Sequence, residues 1–444
     1  MRTAIIGLGV TGLSCLRHLY DRDELVVIDT REAPPNAQAA ATRYPNAEYR
    51  FGICQFDFSL AERVIVSPGV SLETPLVRAA VEGGLPVMSD IDLFCREVSA
   101  PIYAVTGTNG KSTVTSLVGH LLERLGRIPG VGGNLGDAAL DIIAADRDCY
   151  VIELSSFQLE RMQAYGFQVA TVLNLSEDHI DRHGSLKRYA AAKQRIYAKA
   201  ECAVVNRDDL STQPGNHVDR LVTFGSDVPA AAEWGVRTDG GRYLAFGDEN
   251  VIATDELPLV GRHNEQNVLA AFAILEGEAG GAPDGEIRPA ALAEAVHGFT
   301  GLAHRCERVA HRREIAYVND SKATNVGATL AALAGLGGTH KSIVLIAGGD
   351  GKGANFAPLK SAMARWVRHL VLFGSDAPAL AAAAGDDLSV SHVANMGEAV
   401  VTACEAAQPG DTVLLSPACA SLDMFDSYVH RGEAFRDAVL GLGK

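Results

Sequence analysis

Gly107-Thr108-Asn109-Gly110-Lys111-Ser112-Thr113 carries the densest potential chemistry in the chain. It lies between an apolar β-like run, Ile102–Thr106, and a helical pattern that begins near Ser112. In such a loop backbone N–H groups cradle phosphate oxygens, the lysine reaches the terminal phosphates, and the hydroxyl that follows it binds Mg²⁺. Two residues separate Gly107 from Gly110, a tighter spacing than in the common phosphate loop. Glu153 ends a second β-like run, Cys149–Ile152, where an acid can face the loop and hold Mg²⁺. Ser155-x-x-Gln158 reads as a capping box for the helix that follows. His179-x-Asp181-x-His183 carries two readings. One is a zinc site, which no nearby cysteine or further histidine completes; the other is a second Mg²⁺ held by His179.

A glycine turn, Gly7-Leu8-Gly9-Val10-Thr11-Gly12, follows the strand-like run Thr3–Ile6 and opens a helix, and Asp29 follows a second run, Leu25–Ile28. Glycines let the backbone approach a diphosphate at a helix N-terminus, and the acid can accept a ribose hydroxyl. Taken alone this predicts a nicotinamide dinucleotide and an oxidoreductase. The second phosphate loop, with no dehydrogenase constellation beside it, favours another diphosphate nucleotide such as a UDP-sugar. Ser67-Pro68-Gly69 follows the run Val64–Val66 and faces the same ligand. Near the C-terminus three runs end in polar turns, Asn319–Lys322, Gly348–Lys352 and Ser416–Ser421. Ligands of open α/β sheets gather at such carboxyl ends, and Lys322 and Lys352 are cationic partners for a dicarboxylate.

These residues need a scaffold, and the pattern supplies one. Short β-like runs alternate with Ala-rich helical stretches, the signature of parallel α/β sheets. Three domains are expected: residues 1–94, Rossmann-like; 95–299, P-loop ATPase-like; and 300–444, Rossmann-like again. The chain breaks at Ser99-Ala100-Pro101 and again near Gly298–Gly301, and Asp239-Gly240-Gly241 predicts a β-hairpin. Further runs at Val169–Asn174, Cys202–Asn206, Ile315–Asn319, Ile343–Ala347, Leu370–Phe373 and Thr412–Leu415 are strand candidates. A 47% hydrophobic content provides ample core, while the net charge of -15 argues against general nucleic-acid binding. Eight scattered cysteines without a CxxC pair are expected to be reduced thiols. No run reaches transmembrane length, and glycines interrupt Ala4–Leu16 too often for a signal peptide.

With these segments in view, the chain resembles the Mur ligases over essentially its whole length. The resemblance rests on Gly107–Thr113, Glu153-Leu-Ser-Ser-Phe-Gln158, Asp178-His-Ile-Asp-Arg182, Gly261-Arg-His-Asn-Glu-Gln-Asn267, Gly301-Leu-Ala-His-Arg305, Asp320-Ser-Lys-Ala-Thr-Asn325 and Ser416-Pro-Ala-Cys-Ala-Ser421. Asp320–Asn325 resembles the glutamate-adding type; the Asn-Pro-Arg segment of the diaminopimelate-adding type is missing. Folylpolyglutamate synthase is related but has no domain like residues 1–94.

The resemblance implies an ATP-dependent amide ligase that adds D-glutamate to UDP-N-acetylmuramoyl-L-alanine through an acyl phosphate, in cytoplasmic peptidoglycan precursor synthesis. Another amino acid is the alternative within the superfamily. Lys111, Glu153, His179, Lys193 and Lys322 are implied catalytic. Gly107, Thr108, Asn109, Gly110, Lys111, Ser112 and Thr113 would hold the ATP phosphates, Asn264 and Asn267 the adenine, Arg305 a terminal phosphate and Asp320 the ribose. Thr11, Asp29, Thr30, Arg31, Ser67, Gly69 and Asn134 would contact the UDP-sugar. Lys322, Thr324, Lys352, Ser421 and Tyr428 would bind glutamate, although the position of Tyr428 is often Phe in the family. Two Mg²⁺ ions would rest on Ser112, Glu153, His179 and Lys193. For Lys193 the resemblance implies carbamylation, since a free ammonium would repel the metals whereas a carbamate offers hard oxygen ligands. A monomer acting on small molecules, with neither nucleic acid nor membrane as partner, completes the expectation.

Overall fold

The computed structural model describes residues 1–259, 261–279 and 288–442, except for the side chain of Asp181. Three sheets follow one another along the chain. The first contains β1 (Arg2–Ile6), β2 (Glu24–Asp29), β3 (Glu48–Phe51), β4 (Arg63–Val66) and β5 (Val87–Met88), all parallel, in the order β3-β2-β1-β4-β5. Its apolar runs are buried on both faces, as helix-covered parallel strands require: Ile5, Val27 and Ile65 enter one core layer, and Ala4, Ile6, Val26, Ile28, Val64 and Val66 the other. The turn after β1 demands glycine. Gly7 has φ +94°, and a Cβ on Gly12 would lie 1.9 Å from the Gly7 carbonyl oxygen.

The second sheet holds β6 (Ile102–Thr106), β7 (Pro129–Gly133), β8 (Cys149–Glu153), β9 (Val169–Val172), β10 (Cys202–Asn206), β11 (Arg220–Phe224), β12 (Trp234–Arg237), β13 (Tyr243–Phe246) and β14 (Glu249–Ala253). The order is β14-β13-β12-β11-β10-β9-β6-β8-β7. β6 is buried throughout and lies between β9 and β8, so the phosphate loop at its end stands amid neighbouring strand ends. The predicted hairpin joins β12 to β13, with Gly240 at φ +73° in its turn.

In the third sheet are β15 (Glu307–Arg312), β16 (Ile315–Asn319), β17 (Ile343–Gly348), β18 (Val367–Phe373), β19 (Ser389–His392) and β20 (Thr412–Leu415), in the order β15-β16-β20-β17-β18-β19. Only the β15–β16 pair is antiparallel, so β16, β17 and β20 end on one side and bring their polar turns together.

The structure departs from the sequence reading where tertiary pairing overrides composition. Pro129-Gly-Val-Gly-Gly133, absent from the strand candidates, is a strand; its glycines let β8 come close, because a Cβ on Gly130 would stand 2.6 Å from the Tyr150 ring. The predicted run Val169–Asn174 leaves the ladder after Val172, since Asn174 turns onto the phosphate loop. The helix Asp90–Glu97, capped by a Ser89/Asp92 box, runs through the expected 94/95 boundary, and β6 begins the next sheet at Ile102.

Candidate active site

The phosphate loop is braced before any ligand arrives. Gly107 (φ +152°) and Gly110 (φ +82°) supply its two unusual backbone conformations, and Gly110 caps the helix Lys111–Arg124, whose N-terminal N–H groups face outward from the loop. Asn174 holds it on both sides: its Oδ1 accepts from Asn109 N at 2.8 Å and its Nδ2 donates to Asn109 O at 3.1 Å. Thr108 Oγ1 accepts from Ser176 N at 3.0 Å, and Thr113 lines the cavity beside the loop. Lys111 folds over the loop, donating to the carbonyls of Gly107 (2.9 Å) and Thr108 (2.8 Å), neutral partners that an anionic phosphate outcompetes. Burial lowers its pKa.

Glu153 sits directly opposite. Its Oε2 accepts from Ser112 Oγ at 2.5 Å and its Oε1 from Asn134 Nδ2 at 2.7 Å. Burial pushes this carboxyl up, but Lys111, Ser112 and Asn134 together outweigh burial and hold it below the usual range. Glu153 is therefore a buried, ionised, oxygen-only donor set on the edge of a phosphate loop. That chemistry, with the Ser112 hydroxyl beside it, fits a hard divalent cation.

Lys193 is almost fully buried. Its Nζ donates to Gly107 O at 2.8 Å and Thr106 Oγ1 at 3.2 Å, and lies 4.8 Å from the centre of the Tyr189 ring. Burial, reinforced by Lys111, depresses its pKa well below that of an ordinary lysine. His179 begins the turn Ile180–His183 at φ +52°, half-exposed, with Nε2 3.8 Å from Asp178 Oδ2. His183 points elsewhere: it is buried, bonded to Ser156 Oγ at 3.0 Å and stacked on Phe157. His183 is thus turned away from His179, the side chain of Asp181 lies outside the described residues, and among the described residues no three His, Cys, Asp or Glu side chains gather as metal ligands.

Beside the loop lies a cavity of about 320 Å³, lined by Asn264, Asn267, Arg305, Asp320 and Lys322 among others. Asn267 Nδ2 donates to Asn264 Oδ1 at 2.9 Å. Arg305 crosses from the third domain, donating to Ser112 Oγ at 2.5 Å. Asp320 accepts from Ser416 Oγ (2.9 Å) and Cys306 N (3.2 Å), and burial raises its pKa to about 7.

A second crevice, of about 480 Å³, gathers six of the seven residues expected for the UDP-sugar: Thr11, Asp29, Thr30, Arg31, Ser67 and Gly69. Asn134 is the exception; its amide is spent on Glu153. Asp29 accepts from Leu8 N at 2.8 Å and from Arg31 Nη2 at 2.7 Å, so the carboxylate closes the glycine turn itself.

In the third sheet Lys322 Nζ stands 3.8 Å from the centre of the Tyr428 ring, a contact that a phenylalanine would also provide. Burial lowers its pKa to about 8. Ser421 is buried, whereas Thr324 and Lys352 are exposed, and Lys352 adopts φ +51°. Sequence reasoning missed Arg431, which is wholly buried. It donates to Ser321 O at 2.8 Å, Cys419 O at 3.1 Å, Ala420 O at 3.2 Å and Gly348 O at 3.4 Å, tying the three polar turns to one guanidinium. Its place one helical turn beyond Tyr428 was the only available signal.

Comparison with known proteins gives a consistent picture across the chain. Residues 1–89 match the description "Mur ligase MurD-like, N-terminal domain", residues 105–275 "Mur ligase middle domain" and residues 304–419 "Mur ligase, glutamate ligase domain". UDP-N-acetylmuramoylalanine--D-glutamate ligase of Pseudomonas putida is 46% identical over 99% of this chain and 97% of its own length. The protein of the same name from Marinobacter nauticus is 44% identical over 99% and 98%. Among solved structures, MurF of Acinetobacter baumannii shares the fold at a TM-score of 0.63 and 16% identity, covering 98% of this chain and 93% of that one. UDP-N-acetylmuramate-alanine ligase MurC of Thermotoga maritima does so at 0.61 and 19%, covering 99% of both.

Proposed function

Because this chain belongs to the Mur ligase family, we infer that it joins D-glutamate to UDP-N-acetylmuramoyl-L-alanine with conversion of ATP to ADP and phosphate, a step of peptidoglycan precursor synthesis. The observation that carries this reading is the convergence, on one cleft, of Lys111 and Ser112 from the phosphate loop, Glu153 opposite them and Lys322 from the third sheet. A nucleoside triphosphate and an anionic acceptor fit that combination.

The γ-phosphoryl group passes to the alanine carboxylate and forms an acyl phosphate. Lys111 leaves the Gly107 and Thr108 carbonyls for the phosphate oxygens, and Arg305 adds a second positive charge. Two Mg²⁺ ions, on Ser112, Glu153, His179 and Lys193, would neutralise developing charge there. The amine of glutamate then attacks the acyl carbon; the tetrahedral intermediate collapses with loss of phosphate. Asn264 and Asn267 are assigned to adenine and Asp320 to ribose. Thr11, Asp29, Thr30, Arg31, Ser67 and Gly69 are assigned to the UDP-sugar, and Lys322, Thr324, Lys352, Ser421 and Tyr428 to the two glutamate carboxylates. Holding the reactants from three domains together supplies much of the rate. The enzyme is placed in the cytoplasm as a monomer. No helix among the described residues is long and apolar enough to cross a membrane.

Carbamylation of Lys193 is supported by its environment. Burial and Lys111 favour the neutral amine, the form that attacks carbon dioxide to give an N-carboxylate with release of a proton. Lys193→Ala is expected to lose about 10²-fold or more in turnover, with partial rescue by a small carboxylate. Wild-type turnover in that variant would reject the assignment. The reaction itself is tested by phosphate release with UDP-N-acetylmuramoyl-L-alanine, ATP and each glutamate enantiomer. D-glutamate is expected to drive release; if neither enantiomer does, the reading fails.

A further inference from the structure

Arg161 follows the helix Ser156–Leu159, and its side chain is 1% exposed. Its Nη1 donates to Ser67 O at 2.6 Å, and its Nη2 to Val70 O at 3.0 Å and Pro68 O at 3.1 Å. Its Nε donates back to Phe157 O at 2.7 Å. The central domain thus holds the crevice loop of the first domain through three successive-turn carbonyls and one cation. Ser67 Oγ in turn donates to Gly7 O at 2.7 Å, so the same grip extends to the glycine turn.

The grip reaches the metal-side residues as well. Glu160 Oε1 accepts from Arg161 Nη2 at 3.1 Å and from Arg182 Nη2 at 2.6 Å. Arg182 stands in the turn Ile180–His183 that begins at His179. Phe157 belongs to the helix whose capping box begins two residues after Glu153. A set of hydrogen bonds, charge-assisted at Arg161 and Arg182 and neutral at Ser67, therefore links both loops of the crevice to the segments carrying Glu153 and His179. A buried guanidinium is unlike a surface one here: its planar fork fixes directions, and a lysine cannot reproduce them.

We propose that Arg161 is a positioning residue that sets where the UDP-linked substrate lies relative to the phosphate loop, so that the acceptor carboxylate is presented to the γ-phosphoryl group. The proposal rests on the ligase reading above. It gives that side chain, with Glu160 and Arg182 as its counterweight, a leading part in the register between the two sites. A misplacement of about 1 Å between reacting groups costs about 10²-fold in rate.

The test is steady-state kinetics on the full-length enzyme with Arg161→Lys, Arg161→Met and Glu160→Gln, varying each substrate in turn. For Arg161→Met, kcat/KM for UDP-N-acetylmuramoyl-L-alanine is expected to fall about 10²-fold, with KM for ATP and for glutamate within about twofold of wild type. Arg161→Lys should recover only part of that loss, and Glu160→Gln should show a smaller loss of the same selectivity. If Arg161→Met does not fold, the other two variants carry the same readout. Because kcat is common to the three substrates, the discriminating readout is KM: a KM for ATP or glutamate that rises as much as turnover falls, or no loss of turnover, overturns the proposal and leaves Arg161 as a structural tie. The wild-type enzyme run in parallel tests the ligase reading independently: if it releases no phosphate, that reading fails and not the grip of Arg161.

Discussion

The central domain meets its two neighbours in different ways. Against the first domain the contact is buried and polar. Gln158 Nε2 donates to Asp90 Oδ2 at 3.2 Å, Gln163 N to Asp92 Oδ1 at 2.8 Å, and Arg161 holds the crevice loop. Against the third domain, Arg305 reaches Ser112, Asn325 Nδ2 reaches Asp178 Oδ2 at 3.2 Å, and the helix Arg262–Ala279 packs on Val326–Leu336, where His263 is wedged so tightly that a Cβ on Gly335 would stand 2.4 Å from its Nδ1. Arg305 and Ser112 are themselves assigned to ATP, so nucleotide would engage that junction directly, whereas Arg161, Gln158 and Gln163 in the first junction bond protein groups and carry no ligand assignment. On the proposed reading, protein contacts tie the UDP crevice to the phosphate loop, and closure of the third domain with its amino acid is the expected motion.

The largest test of this contrast is Lys111→Ala. Phosphate release should fall about 10³-fold, because a principal charge on the transferring group is gone. Binding of UDP-N-acetylmuramoyl-L-alanine, measured calorimetrically without ATP, should stay within about twofold, since its crevice is built from the first junction. Loss of both would show the two sites to be one unit.

Lys322 gives an intermediate effect on the third-domain side. Burial first, then Arg305, lower its pKa to about 8. The ammonium is present below that pH and lost above it, so KM for glutamate should rise about fivefold between pH 8 and 9 as the cationic partner of the carboxylate disappears. A Lys322→Arg variant should keep its charge across the same range. A pH-independent KM in the wild type would remove Lys322 from the glutamate site.

The smallest effects compare the junctions directly by thermal or urea unfolding. Gln158→Glu keeps the capping-box acceptor but removes the donor to Asp90, whose burial raises its pKa to about 6. It should cost about 1–3 kcal/mol. The cost should grow from pH 6 to pH 8: at the lower pH a proton shared between the two carboxyls restores a donor, and at the higher pH both are charged. Asn325→Ser keeps an N-cap for its helix and drops only the bond to Asp178, so it should change stability by less than about 0.5 kcal/mol. Equal costs at the two sites would erase the distinction.

Much of the site was readable because its chemistry is local in sequence. Gly107–Thr113 must form a loop wherever a strand meets a helix, and Ser155 with Gln158 forms the expected capping box. Turns after β16, β17 and β20 were visible as polar endings to apolar runs. Asn134 bonds Glu153 instead of lining the crevice with the other six, His183 turned inward to Ser156, and Arg161 and Arg431 went unseen. Most of their partners are carbonyls, some far along the chain, 94 residues away for Arg161 and Ser67 and 110 for Arg431 and Ser321, and a carbonyl has no residue identity for a sequence pattern to register.

By itself, then, the sequence determined three α/β layers in series, the phosphate loop and its facing acid, and through those the family. Backbone geometry and strand hydrophobicity are short-range properties, written within a few residues of where they act. Only the tertiary structure decided which loops share a cleft, which charged groups are buried deeply enough to shift, and which side chains join the central domain to each neighbour. Burial and long-range hydrogen bonding depend on where distant segments pack, and that is a property of the folded chain as a whole.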